Sequence, residues 1–318
     1  MCKCADGRRC YLLVNGHLII RISAHSRILT LTKHSHIDQA FLICTFSHFL
    51  ICTLVITFSF FQHALLGALL ASVLCAIIGT YMVTRRTVIA GGGMAHASLG
   101  GVGMGAYFGF PPLLGAAMFA VASGFGIQWL GRKRNVREDS AIAMLWTLGM
   151  AVGILFAYMA PGFMTDLPSY LFGDILSISS ADIGSLGALT LIALIAYVAL
   201  RRAIISVACD RDFARTQGLP VDTIESLLMV LTALTIVGCL HMVGIVMVIS
   251  LLSVPQMTAS LFVRTYDRMV WLSALIAYAS CLGGLALSYF ADVPGGASII
   301  VVSIAIYALC RMAFFKKK

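Results

Sequence analysis

Nine runs of predominantly apolar residues follow one another from residue 62 to residue 312, with only short polar gaps between them. A helix crosses the hydrocarbon core of a bilayer with roughly 20 such residues. Inside lipid every backbone N–H and C=O must be paired within the chain, so the runs are expected to be helices. They span about 62–84, 88–109, 113–131, 140–160, 181–200, 223–240, 243–263, 269–290 and 296–312. Only 11% of the residues are charged and 60% are apolar, against about 25% charged in a soluble domain. A water-facing surface cannot be built from so few charges. The expected fold class is therefore all-α: a polytopic integral membrane protein of about nine transmembrane helices, within a range of eight to ten.

The formal net charge of +9 would suit a nucleic-acid partner if it formed one patch. It does not. From Tyr81 onward the basic residues fall into five groups between apolar runs: Arg85 and Arg86; Arg132, Lys133, Arg134 and Arg137; Arg201, Arg202, Arg211 and Arg215; Arg264 and Arg268; Arg311 and Lys316 to Lys318. The alternate gaps, around Pro111 and Pro112, 161–180, 241–242 and 291–296, hold no Lys or Arg. Such alternation is the positive-inside rule. It places the basic gaps and the C-terminus in the cytoplasm, and lipid, not nucleic acid, around the chain.

Residues 58–318 form the expected transmembrane domain. Residues 1–57 differ in composition and are expected to be an N-terminal extension, either poorly ordered or, through 41–61, one further membrane helix; a start assigned too far upstream is the other explanation. Five of the ten cysteines lie within the first 52 residues, and Cys75, Cys239, Cys281 and Cys310 lie inside apolar runs, where thiols act as small hydrophobes. Cys2, Cys4, Cys10 and His17 fit no standard metal-ligand spacing.

Enzyme motifs are missing: there is no G-x-x-x-x-G-K-[ST], no H-E-x-x-H and no G-x-S-x-G. Any ATP hydrolysis belongs to a separate chain. From residue 64 onward only two histidines occur, His96 and His241, both within or at the end of a span. Ionisable groups at that depth are costly and are functional candidates by default, and neutral imidazole suits zinc, copper, iron and nickel. Asp166, Asp174, Asp182 and Asp292 flank gaps without cations, a distribution that attracts cations to the outer face; Asp182, after Ser179 and Ser180, also fits a helix N-cap. The inner gap at 201–222 predicts a short helix over Asp210–Thr216, stopped by Gly218, Leu219 and Pro220. Short amphipathic helices in such gaps serve as docking elements. Pro255, followed by Gln256, is expected to interrupt the seventh span and to mark it as lining a pathway.

Six segments in order carry a family resemblance: RRTVIAGGGMAHASLGGVGMG, VREDSAIAM, LPSYLFGDILSIS, CDRDFARTQGLPV, VGIVMVISLLSVPQMTASLF and DVPGGASIIVVS. From about Phe60 to Met312 the chain resembles the zinc, manganese and iron permeases of the metal-importing ABC-3 family. The resemblance implies a permease homodimer, a cytoplasmic ATP-binding subunit, and a periplasmic or lipoprotein metal-binding protein. It also implies a divalent transition metal as cargo, zinc or manganese before iron or chelated iron, with no permanently bound cofactor. Asp212, Phe213, Ala214 and Gly218 resemble the E-A-A-x-x-x-G coupling pattern of ABC importers. His96 stands at the family's histidine, but the Asp that many members carry four residues earlier is Gly92 here, so a paired Asp–His set is not available. An ion-coupled secondary transporter is the rival reading; it would require more titratable groups at mid-membrane than this chain has.

Overall fold

The computed structural model describes residues 2–4, 10–14, 18–21, 59–132, 137–160, 173 and 178–315. The chain divides into two compact units, Met1–Val55 and Ile56–Lys318. In the first, β1 (Cys2–Cys4), β2 (Cys10–Val14) and β3 (Leu18–Arg21) form an antiparallel meander in the order β1-β2-β3, with Cys4 opposite Cys10 and Leu12 opposite Ile20. Sequence analysis did not anticipate these strands. The apolar stretch 41–61 lies almost wholly outside the described residues.

Among its described residues, the second unit is built of helices. Its elements are α1 (Ser59–Arg85), α2 (Val88–Phe108), α3 (Pro112–Arg132), α4 (Glu138–Met159), α5 (Ser180–Cys209), α6 (Arg211–Thr216), α7 (Val221–Val243), α8 (Ile245–Phe262), α9 (Tyr266–Ala291) and α10 (Gly295–Phe315). Among the described residues, eight of these are long and apolar enough to cross a membrane. The expected run 88–109 is a helix as well, but α2 is not one of the eight. Gly91, Gly92, Gly93, Gly100, Gly101, Gly103 and Gly105 dilute its apolarity, and nearly all of its length is buried inside the bundle. It is an interior helix, and lipid need not meet it.

Those glycines let α2 lie against α3 and α4 at backbone distance. A Cβ on Gly101 would collide with the Gly115 carbonyl of α3; one on Gly153 of α4 would lie 2.6 Å from the Leu99 carbonyl oxygen. Small residues permit such approaches where lipid offers no hydrophobic drive for helices to associate. α1 and α7 are also interior, 67% and 61% buried along their apolar stretches, whereas α5 and α10 are 17% buried and present mostly exposed apolar residues.

Helix ends are closed locally. Ser179 caps α5 in a reciprocal box: its Oγ accepts from the Asp182 N–H at 3.2 Å and its own N–H donates to Asp182 Oδ2 at 3.1 Å. Gly109, at φ 75°, ends α2 and donates to the Gly105 carbonyl at 3.0 Å.

The expectation for Pro255 is corrected. α8 runs unbroken from Ile245 to Phe262 with Pro255 inside it. A proline removes the donor for the carbonyl four residues earlier, here that of Leu251. Gln256 supplies the replacement: its Nε2 donates to Leu251 O at 3.0 Å and across to Cys75 O of α1 at 2.9 Å. Gly79 makes room for this contact, since a Cβ there would sit 2.5 Å from Leu252 O and 2.6 Å from Gln256 Nε2. The chain break falls earlier, at Gly244 (φ 75°, ψ 161°), between α7 and α8.

Replacing Gln256 by Met keeps the volume but leaves both carbonyls without that donor. The expected loss is about 1–3 kcal/mol, read as a lower midpoint of thermal unfolding in detergent; an unchanged midpoint would show that the bridge carries no stability.

Candidate functional site

Basic residues gather where α1, α3, α5 and α8 end and α2, α4, α6, α7 and α9 begin. α6 joins α5 to α7 at this end. Asp210 caps it, its Oδ1 accepting from the N–H groups of Asp212 at 2.9 Å and Phe213 at 3.1 Å. Ala214 is fully buried against the bundle, while Asp212 is exposed and Phe213 is 56% exposed. The exposed aromatic ring thus stands on one turn and a half of helix anchored by a buried alanine. Gly218 then adopts φ 76° with nothing within 4 Å of where a Cβ would be, so glycine is required there by conformation alone. Its N–H donates to Arg215 O at 3.0 Å and the Leu219 N–H to Ala214 O at 3.3 Å; Leu219 packs on the core and Pro220 caps the start of α7. The expected helix over Asp210–Thr216 is thus observed one residue shorter, with Asp210 as its cap.

Behind α6 lies a cavity of about 380 Å³ lined by Arg85, Thr87, Gln128, Glu138, Arg211 and Glu225 among polar residues, and by Met82, Met94 and Met229. Glu225, 7% exposed, is its electrostatic centre. Oε1 accepts from Arg85 Nη2 at 3.0 Å and Oε2 lies 2.9 Å from Arg211 Nη2. Asp222 joins Arg211 (3.4 Å) and Arg215 (3.2 Å) at the surface. A separate cluster joins α5 to α9: Tyr197 OH donates to Asp267 Oδ1 at 2.7 Å, and the Arg201 guanidinium grips both Asp267 oxygens. Sequence analysis counted Arg85 and Arg211 only as members of basic groups and missed Glu225. The signal was present, since Glu225 is a carboxylate near the start of the apolar run 223–240.

Within the bundle, His96 of α2 stacks on Trp146 of α4, the ring centroids 4.5 Å apart and the planes 11° from parallel. Its Nδ1 is buried and meets no partner. Beside it, a Cβ on Gly92 would meet only Ile249 Cδ1, at 3.8 Å. His241 falls in the last turn of α7, its side chain outside the description; Asp166 and Asp174 also lie outside the described residues. Asp182 is engaged in its cap, and Asp292 ends α9 in left-handed conformation, φ 56°. Among the described residues no group of three or more His, Cys, Asp or Glu is placed to hold a metal ion.

Comparisons with known proteins cover the helical unit. A family model described as the ABC 3 transport family matches residues 57–314. An uncharacterized membrane protein of Synechocystis sp. is 37% identical over 257 residues, spanning 81% of this chain and 91% of that one. The manganese transport system membrane protein MntC of Halalkalibacterium halodurans is 33% identical over 261 residues, spanning 82% of this chain and 88% of that one. Among solved structures, PsaBC from Streptococcus pneumoniae in complex with Fab superposes with a TM-score of 0.73 at 26% identity, over 80% of this chain and 91% of that one.

Gly218→Ala introduces a left-handed alanine without a clash, a strain of about 1–2 kcal/mol. Amide exchange across 211–219 should accelerate by a factor of about 5–30, measured by mass spectrometry; unaltered exchange would mean that the turn does not hold α6.

Proposed function

The chain belongs to the ABC 3 transport family, and on that premise we propose that it is the membrane-spanning permease subunit of an ATP-driven importer of a divalent transition metal, zinc or manganese. The observation that carries this reading is α6: a capped short helix at the basic end, its alanine buried, its Phe213 exposed and its following glycine left-handed. That is the build of a knob that a cytoplasmic ATP-binding subunit grips, and it rests on the residues that resemble the coupling pattern. Nothing in the chain supplies a nucleotide-binding loop, so the hydrolytic chemistry belongs to the partner.

In this reading the basic end and the C-terminus face the cytoplasm, following the positive-inside rule. A periplasmic or lipoprotein metal-binding protein delivers the ion at the opposite end, where Asp166, Asp174 and His241 are the candidate ligands from the sequence. The ion then moves along α2 and α8. His96 offers one imidazole whose Nδ1 has no protein partner, which suits a transient ligand; further ligands come from a second copy of the chain in a homodimer. A weak, incomplete set at each stage favours release, which transport requires as much as capture. Closure of the ATP-binding subunits, transmitted through α6, switches the access of this path between the two sides.

The test is uptake of radioactive zinc, manganese and iron by vesicles holding this chain with its ATP-binding subunit, the metal-binding protein supplied at the outer face. Saturable uptake of one metal, lost without ATP, is the expected result. ATP-independent uptake driven by a proton or sodium gradient would replace this reading with a secondary transporter. His96→Ala should lower the rate with the complex intact; an unchanged rate returns His96 to a packing role. A third prediction concerns docking: Phe213→Glu should weaken copurification of the ATP-binding subunit by about tenfold or more, as loss of a central aromatic contact does. Full retention would remove α6 from that interface.

A further inference from the structure

We propose that Glu225 is a positioning residue that joins the docking helix α6 to α1 and α2, so that motion imposed on α6 is carried into the interior of the bundle. The inference rests on the reading of α6 as the site that the ATP-binding subunit grips.

α6 packs against its chain neighbours α5 and α7. On packing alone, a push on it would be taken up by those two helices. The ion pairs extend its reach. Arg211 is the first residue of α6, and its guanidinium meets Glu225 Oε2 at 2.9 Å. The other oxygen of the same carboxylate is taken by Arg85, at 3.0 Å, the last residue of α1. Immediately beyond Arg85 the chain turns through Arg86, at φ 60°, and Thr87, whose N–H donates to Met82 O at 2.9 Å, into α2. One carboxylate thus links three places: the docking helix, the start of α7, and the joint at which α1 becomes α2. Further along, α1 carries Cys75, whose carbonyl is tied to Gln256 of α8, and α2 carries His96.

Electrostatics makes this a joint and not an incidental contact. Glu225 takes one guanidinium on each carboxylate oxygen and is almost wholly shielded from water, where charge pairs are weakly screened. Neutralising Glu225 removes the carboxylate that Arg85 and Arg211 share, while Arg211 keeps Asp222 at 3.4 Å. The cavity of about 380 Å³ beside them gives both arginines room to swing apart once the carboxylate is neutralised. Sequence separation adds to the case: Arg85 and Glu225 are 140 residues apart, so no local turn holds them together.

The experiment is hydrogen exchange on the intact complex of permease and ATP-binding subunit, with and without ADP and vanadate, for the wild type and for Glu225→Gln. Gln keeps the shape and removes the charge. In the wild type, trapping should alter amide protection both at 211–219 and at 85–91, the latter by about tenfold. In the variant the response at 211–219 should persist, which shows that docking and closure still occur, while that at 85–91 falls below about twofold. A response at 85–91 that survives in Glu225→Gln, or that never occurs in the wild type, overturns the proposal. Arg85→Gln tests the other half of the joint and should give the same loss at 85–91. The readout needs no transported metal. A complex that closes on vanadate but takes up none of the three metals would overturn the cargo reading and leave this inference to stand or fall on the exchange data.

Discussion

Inside a bilayer a carbonyl without a donor has no water to turn to, and the consequences of that constraint run through the whole helical unit. Long helices dispose of most backbone groups internally. What remains is handled by particular residues: the side chains of Ser179 and Asp182 at the start of α5, the backbone N–H of Gly109 at the end of α2, and the Gln256 amide beside Pro255. The last is the most economical, because one amide group serves the carbonyl orphaned by the proline and a carbonyl on the neighbouring helix. The same contact fixes where α1 and α8 cross, and Gly79 permits it.

Packing follows from the same setting. Lipid tails are as apolar as leucine, so helices gain from associating only where they approach closely. α2 achieves this with glycine along much of its length, becoming an interior rod between α3 and α4 at the expense of apolarity. Its one histidine, His96, is then held by a stack on Trp146, and its Nδ1 is left without a protein partner.

At the basic end the physics changes. Charged groups there sit near water and most pairs are exposed, such as Arg215 with Asp222, where ion pairs contribute little. Glu225 is the exception by burial. Its value lies less in stability than in connection, since it ties elements that the chain order keeps apart.

The amino-acid order determined the run of spans, their alternation of gaps with and without Lys or Arg, the short helix after Asp210 and its stop at Gly218. Each depends on local composition and on backbone preferences that neighbouring residues set. The interior position of α2 was not legible that way, because a glycine-rich run reads as weakly apolar until its neighbours are placed. Pro255 misled for a related reason. A proline predicts a missing donor, but only the tertiary structure shows the residue that replaces it. Glu225 was visible as a lone carboxylate near the start of an apolar run; that it lies between Arg85 and Arg211 was decided by the packing of α1, α6 and α7, which no spacing in the chain encodes.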